Sequence, residues 1–186
     1  MIEHFSRRRM LAAGLSLGGL AACGNGVGGG GAMQIDARVD ATRDFLFGDF
    51  PGTRDLEQRS LGVLYMPLIT EAGFGIGGGY GRGALRIRNV TVDYYSATRA
   101  TIGFQIGAQQ YAHALFFMTD FALAEFRQSD GWAVGADARY ALPDEGAAIG
   151  ADTTTQLSPV IALIFGQSGL IAGATLGGIK YSRIIP

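Results

Sequence analysis

Apolar and polar positions repeat with two different periods along this chain. From Gln34 to Phe47, apolar Ile35, Val39, Phe45 and Leu46 recur at roughly helical spacing, while Asp36, Arg38, Asp40, Arg43 and Asp44 fill the other side. That arrangement predicts an amphipathic helix. A shorter helix is predicted over 54–59, after the Pro51-Gly52 break, with the Thr53 hydroxyl placed to cap its first amides. Beyond Ser60 the period shortens to two in runs rich in Gly, Ala, β-branched and aromatic residues, which is strand behaviour. One helix interrupts the strands: Thr119 supplies a capping hydroxyl ahead of 120–127, and Ser129-Asp130-Gly131 has turn chemistry. Phe45, Leu46, Phe47 and Phe50 form a stripe that fits packing on a sheet better than dipping into a membrane.

Glycine adds a second pattern. A motif of Gly, a large apolar residue, any residue, an aliphatic or Ala, Gly and a small residue occurs as GFGIGG from Gly73, GFQIGA from Gly103, GWAVGA from Gly131 and GLIAGA from Gly169. Four sheet strands with closely approached backbones are expected, because glycine weakens a strand interior unless a bend, a bulge or another segment requires it. In the extreme case every odd position from Gly73 to Gly83 is glycine, so one strand face would carry no side chains unless a bulge near 77–79 switches the faces.

The N-terminus reads as an export signal. Ser6-Arg7-Arg8-Arg9-Met10-Leu11 precedes an apolar run from Met10 to Ala22, a segment too short to span a bilayer as a helix. Residues 1–22 are therefore expected to be a signal peptide. Arg7 and Arg8 resemble the twin-arginine export signal with Met10 in place of Phe, and an ordinary signal with adjacent arginines stays open beside it. Leu20-Ala21-Ala22-Cys23 resembles a lipobox, which makes Cys23 the expected lipid attachment site and 23–33, with its six glycines from Gly24 to Gly31, a flexible tether.

Charge and chemistry narrow the function classes. The chain carries 15 Lys and Arg against 16 Asp and Glu, a balance that argues against a nucleic-acid partner. Cys23 is the single cysteine, so no disulfide forms within the chain and no thiolate metal centre is expected. Gly73, Gly75 and Gly78 satisfy GxGxxG with Asp93 downstream, but a strand-like run follows where a nucleotide-binding motif needs a helix. His4 leaves with the signal, and His113 alternates with apolar neighbours in a manner expected of a structural histidine. Asp144 and Glu145 sit in turn sequence, so no catalytic set, cofactor or metal is assigned. Arg82, Arg86 and Arg88 share parity with Tyr80 and have no carboxylate nearby before Asp93. They form the candidate lipid-headgroup site, set against the plainer reading of a solvated strand face.

The segments LGVLYMPLITEAGFGIGGGYGRGAL (Leu61 to Leu85), ATIGFQIGAQQYAHALFFMTDFALAEF (Ala100 to Phe126), WAVGADARYAL (Trp132 to Leu142) and SGLIAGATLGGIKY (Ser168 to Tyr181) resemble the SYLF, or Ysc84, domain family. The resemblance implies a lipid-binding module. Eukaryotic members bind phosphoinositides and some bind actin, while bacterial members are exported. Asp93-Tyr94-Tyr95-Ser96 departs from the Trp-Ser-x-Pro of many eukaryotic members, so neither headgroup preference nor actin binding carries over residue by residue.

Residues 34–186 are thus expected to form one α+β domain. A Gly-rich, mainly antiparallel, curved or barrel-like sheet is to be covered by the N-terminal helix and the helix near 119–127. The expected function is non-catalytic binding of phospholipid headgroups by a lipoprotein of the cell envelope. It would be anchored facing the periplasm, at the outer rather than the inner membrane. The rival is a structural envelope protein whose module contacts a protein partner.

Overall fold

The computed structural model describes residues 29–133, 138–140, 158–166, 169–170 and 176–186. Helix α1 spans Gly30–Asp49, α2 Gly52–Arg59 and α3 Asp120–Gln128. The strands are β1 (Gly62–Ile87), β2 (Val90–Phe117), β3 (Trp132–Ala133), β4 (Ala138–Tyr140), β5 (Val160–Gly166), β6 (Gly169–Leu170) and β7 (Ile179–Ile184). Together they form one α+β domain around a curled half-barrel sheet. All described pairings are antiparallel except β4 with β5.

Three local expectations meet different fates. The Thr119 hydroxyl accepts from the Ala122 amide at 3.3 Å and starts α3 as predicted. Thr53 does not cap α2, where Pro51 holds the N-cap position. Its buried hydroxyl instead donates to the carbonyls of Phe50 (2.7 Å) and Leu46 (3.0 Å), each of which also accepts a backbone amide at 2.9 Å, and so ties α2 to the end of α1. Helix α1 itself begins at Gly30, inside the stretch expected to be tether.

The dominating element is a single hairpin. Its strands were expected as shorter runs, but β1, 26 residues long, pairs with β2 from Ile87↔Val90 out to Gly62↔Phe117 around Arg88 and Asn89. Both turn residues have positive φ (50° and 67°), the backbone of a tight two-residue reversal. Fully extended, β1 would run about 85 Å, twice the roughly 40 Å across a domain of this size, so the ribbon has to fold over. Glycine is where it does so. At the bend a Cβ on Gly73 would lie 2.7 Å from the Gly77 Cα. Further along, Gly81 and Gly83 face the backbone of Leu68 and Tyr65 so closely that a Cβ on either would collide with a carbonyl oxygen. The first arm of β1 therefore lies directly on its second arm, and the bare odd face is the face between them. Pro67 marks the register shift between Met66 and Ile69, where the ladder forgoes a donor.

Two cores follow from strand parity. Outside the ribbon, Val63, Tyr65, Ala84, Ala114 and Phe116 pack with Ile35, Val39, Leu46 and Leu56 of the first two helices. Leu64, Met66, Leu85, Leu115 and Phe117 point the other way, onto Phe126 of α3, Trp132 and Tyr181. Phe45 stacks on Phe165 at 5.9 Å, so this part of the α1 stripe is a packing face.

Candidate functional site

Arg82, Arg86, Arg88 and Tyr80 do not form one site. Arg86 is 8% exposed and lies under α1, where its Nη1 donates to Asp40 Oδ1 at 2.6 Å and its Nη2 is 3.9 Å from Asp36 Oδ1. The carboxylates missing from its own strand are supplied by a helix some 46 residues upstream. Asp36 is engaged further by the hydroxyls of Thr91 and Tyr94, each at 2.7 Å. Burial and this carboxylate raise the Tyr94 phenol to about 12, so it stays a donor at all ordinary pH. Arg88 sits in the turn, where positive φ takes it out of strand parity.

The four residues divide between two cavities on the outer side of the ribbon. The first, about 330 Å³, lies at the junction of α1, α2 and the hairpin turn, and Arg43, Arg54, Arg86 and Arg88 contribute to its wall. The Phe47 ring is held between the Arg43 and Arg54 guanidiniums, at 4.6 and 4.7 Å from its centre. Arg43 Nε donates to both oxygens of Glu57 at 3.0 Å, and the Tyr65 hydroxyl donates to the same carboxylate at 3.1 Å. Two of the junction's four arginines, Arg43 and Arg86, are thus already answered from within.

The second cavity, about 350 Å³, lies where the first turns of α1 cross both arms of β1. Gln34, Ile35 and Arg38 come from the helix, Leu68 and Thr70 from the first arm, and Tyr80 and Arg82 from the second. Arg38 and Arg82 are exposed and, among the described residues, have no carboxylate within ion-pair distance. No acidic residue lines this cleft. Two forked donors, a phenol and an amide beside apolar Ile35 and Leu68 suit an anionic group carried on an apolar body. Arg38 was legible only as part of the polar side of α1; its spacing from Ile35 was the available signal, and no sequence pattern links it to Arg82.

Elsewhere the polar groups are structural. His113 is fully buried, its Nε2 2.7 Å from the Tyr181 hydroxyl, and burial lowers its pKa to about 3. The Asp93 carboxylate pairs with Arg127 (3.2 Å) and Arg183 (3.4 Å). Glu71, beside the bend, accepts from Tyr111 (2.6 Å), Gln109 (2.9 Å) and Arg99 (3.3 Å). Burial works against that carboxylate, and these donors outweigh it and lower its pKa. Asp144, Glu145, Cys23, Arg7 and Arg8 lie outside the described residues. Among the described residues no cluster of His, Cys, Asp or Glu could hold a metal ion, and no helix is long and apolar enough to cross a membrane.

Residues 98–183 match the model of the family Ysc84, described as Las17-binding protein actin regulator. The match begins on β2 and runs through β7, covering the later part of the resemblance that the sequence shows from Leu61. No curated protein matches the chain.

Proposed function

Because residues 98–183 match the model of Ysc84, a family of binding domains, we propose that this chain is a non-catalytic lipid-binding module of the cell envelope. It holds an anionic phospholipid headgroup in the cleft between α1 and the two arms of β1. The observation that carries this reading is the pair of guanidiniums, Arg38 and Arg82, over a cleft that no acidic side chain lines and that Ile35 and Leu68 make half apolar. A phosphate would be gripped by forked hydrogen bonds, and Tyr80 and Gln34 would take further oxygens. Arg86 is left out of the contact because Asp40 and Asp36 already hold it. A lipid at Cys23 would serve this weak site by concentrating its ligand around it.

Co-sedimentation of the full chain carrying Cys23→Ser with vesicles containing phosphatidylglycerol tests the reading. Binding that falls about tenfold for each of Arg38→Ala and Arg82→Ala supports it, as expected for loss of one charged hydrogen-bond donor. No binding to anionic vesicles would overturn it.

A further inference from the structure

The even-numbered face of β1 is buried under α1 at Ala84 and Arg86 and is exposed at every even position from Arg82 to Phe74. Its order is directional. Arg82 comes first, then Tyr80 at 53% exposure, then the bare Gly78, then Ile76 at 77% and Phe74 at 81% on the convex side of the bend. The backbone register sets Ile102 opposite Ile76 and Ile106 opposite Phe74. A cation, an amphipathic aromatic and two large apolar side chains in that sequence reproduce the polarity gradient from phosphate to acyl chain.

We propose that the bend is a membrane-docking tip: Phe74 and Ile76 enter the acyl boundary of an anionic bilayer, Tyr80 lies at headgroup level, and Arg82 meets the phosphates. Four residues of strand separate Ile76 from Tyr80, about 13 Å, so an inclined ribbon sets the apolar pair about 5–10 Å below the tyrosine, the depth of interfacial insertion. The Gly73–Gly77 reversal is what makes those two side chains the most outward part of the ribbon. This inference rests on the lipid reading above and adds to it the orientation of the domain on the surface.

The test uses the full chain with Cys23→Ser and a single new cysteine bearing an environment-sensitive fluorophore, at Ile76 or at Val90 beside the hairpin turn. With vesicles containing phosphatidylglycerol, the label at position 76 should shift to the blue and be quenched by acyl-chain spin labels, while the label at position 90 should respond to neither. Phe74→Ser with Ile76→Ser should weaken vesicle binding at least about tenfold, yet leave a soluble short-chain phosphatidylglycerol bound in the Arg38–Arg82 cleft. Vesicle binding with an unquenched tip, or with the same affinity in the double variant, would overturn the docking tip and leave the headgroup cleft standing. Failure of the unsubstituted chain to bind any vesicle would overturn both. A blue shift that depends on protein concentration without vesicles would assign the tip to a second copy of the chain, and also overturns the proposal.

Discussion

At the helix junction Arg43 and Arg86 each meet a carboxylate within 3.0 Å, whereas at the bend Arg38 and Arg82 meet none among the described residues. Both regions lie on the outer side of one ribbon and both are rich in arginine. At the junction a second helix closes over the charges, so their attraction is spent on holding α1 and α2 to the sheet. At the bend coverage stops after the first turns of α1, and the same residue type is left with its donors unanswered beside uncovered apolar side chains. On the proposed reading, the carboxylate-paired Arg43 and Arg86 serve stability and the Arg38–Arg82 pair of the acid-free cleft serves binding, so substitutions in the two regions should move different observables.

The largest effect is expected where the arms of β1 touch. Gly83→Val would drive side-chain atoms into the Tyr65 carbonyl and should cost about 4 kcal/mol or more in urea unfolding. Gly78→Ala, whose Cβ would make an ordinary 3.5 Å contact, should stay within about 0.5 kcal/mol. Equal effects would mean that the arms are not held together by their bare face.

Next comes pH. His113 is neutral when buried, with its folded pKa lowered to about 3, so the unfolded chain binds more protons as pH falls below about 6.5. Stability should drop by about 1.4 kcal/mol per pH unit there, about 3 kcal/mol by pH 4, and His113→Gln should flatten that slope. Vesicle affinity of the folded protein should not follow it, since His113 lies outside the Arg38–Arg82 cleft.

Asp40→Asn strips the nearest charge from the buried Arg86 and should cost about 2 kcal/mol, lowering Tm by about 4–8 °C with vesicle binding intact. Arg54→Ala with Arg88→Ala should have the smallest effect. With no carboxylate of their own among the described residues, both should change stability by less than about 0.5 kcal/mol, and vesicle binding less than twofold. A tenfold loss of binding in that pair would move the headgroup to the junction and break the comparison.

Much of this arrangement was written in local patterns. The 3.6 period of Ile35, Val39 and Leu46 located the face of α1, and Thr119 located the start of α3. The glycines announced a closely approached backbone. What local patterns do not encode is which segment approaches. Arg86 looked free because its own strand has no acid nearby, yet Asp36 and Asp40 arrive by the fold. Thr53 looked like a cap for the helix that follows it and serves the helix before it. Strand periodicity likewise could not tell several shorter strands from one long ribbon, because the register shifts at Met66/Ile69 and Phe74/Gly75 interrupt the ladder without ending the strand. Arg38 and Arg82 are brought to one cleft by α1 crossing the sheet, a tertiary event with no trace in spacing.

The Arg88–Asn89 turn also bears on how the chain reaches this structure. Starting from Ile87↔Val90, each further pair in the ribbon encloses only two more residues, so the chain-entropy cost of every step is small. The ribbon can zip outward from its turn on the microsecond scale of hairpins. The partner strand β7 has no such route: setting Ile179 against Arg99 means closing a loop of 80 residues at once. Folding should therefore be slow where β7 docks and fast within the ribbon, which waits as a template for the last strand.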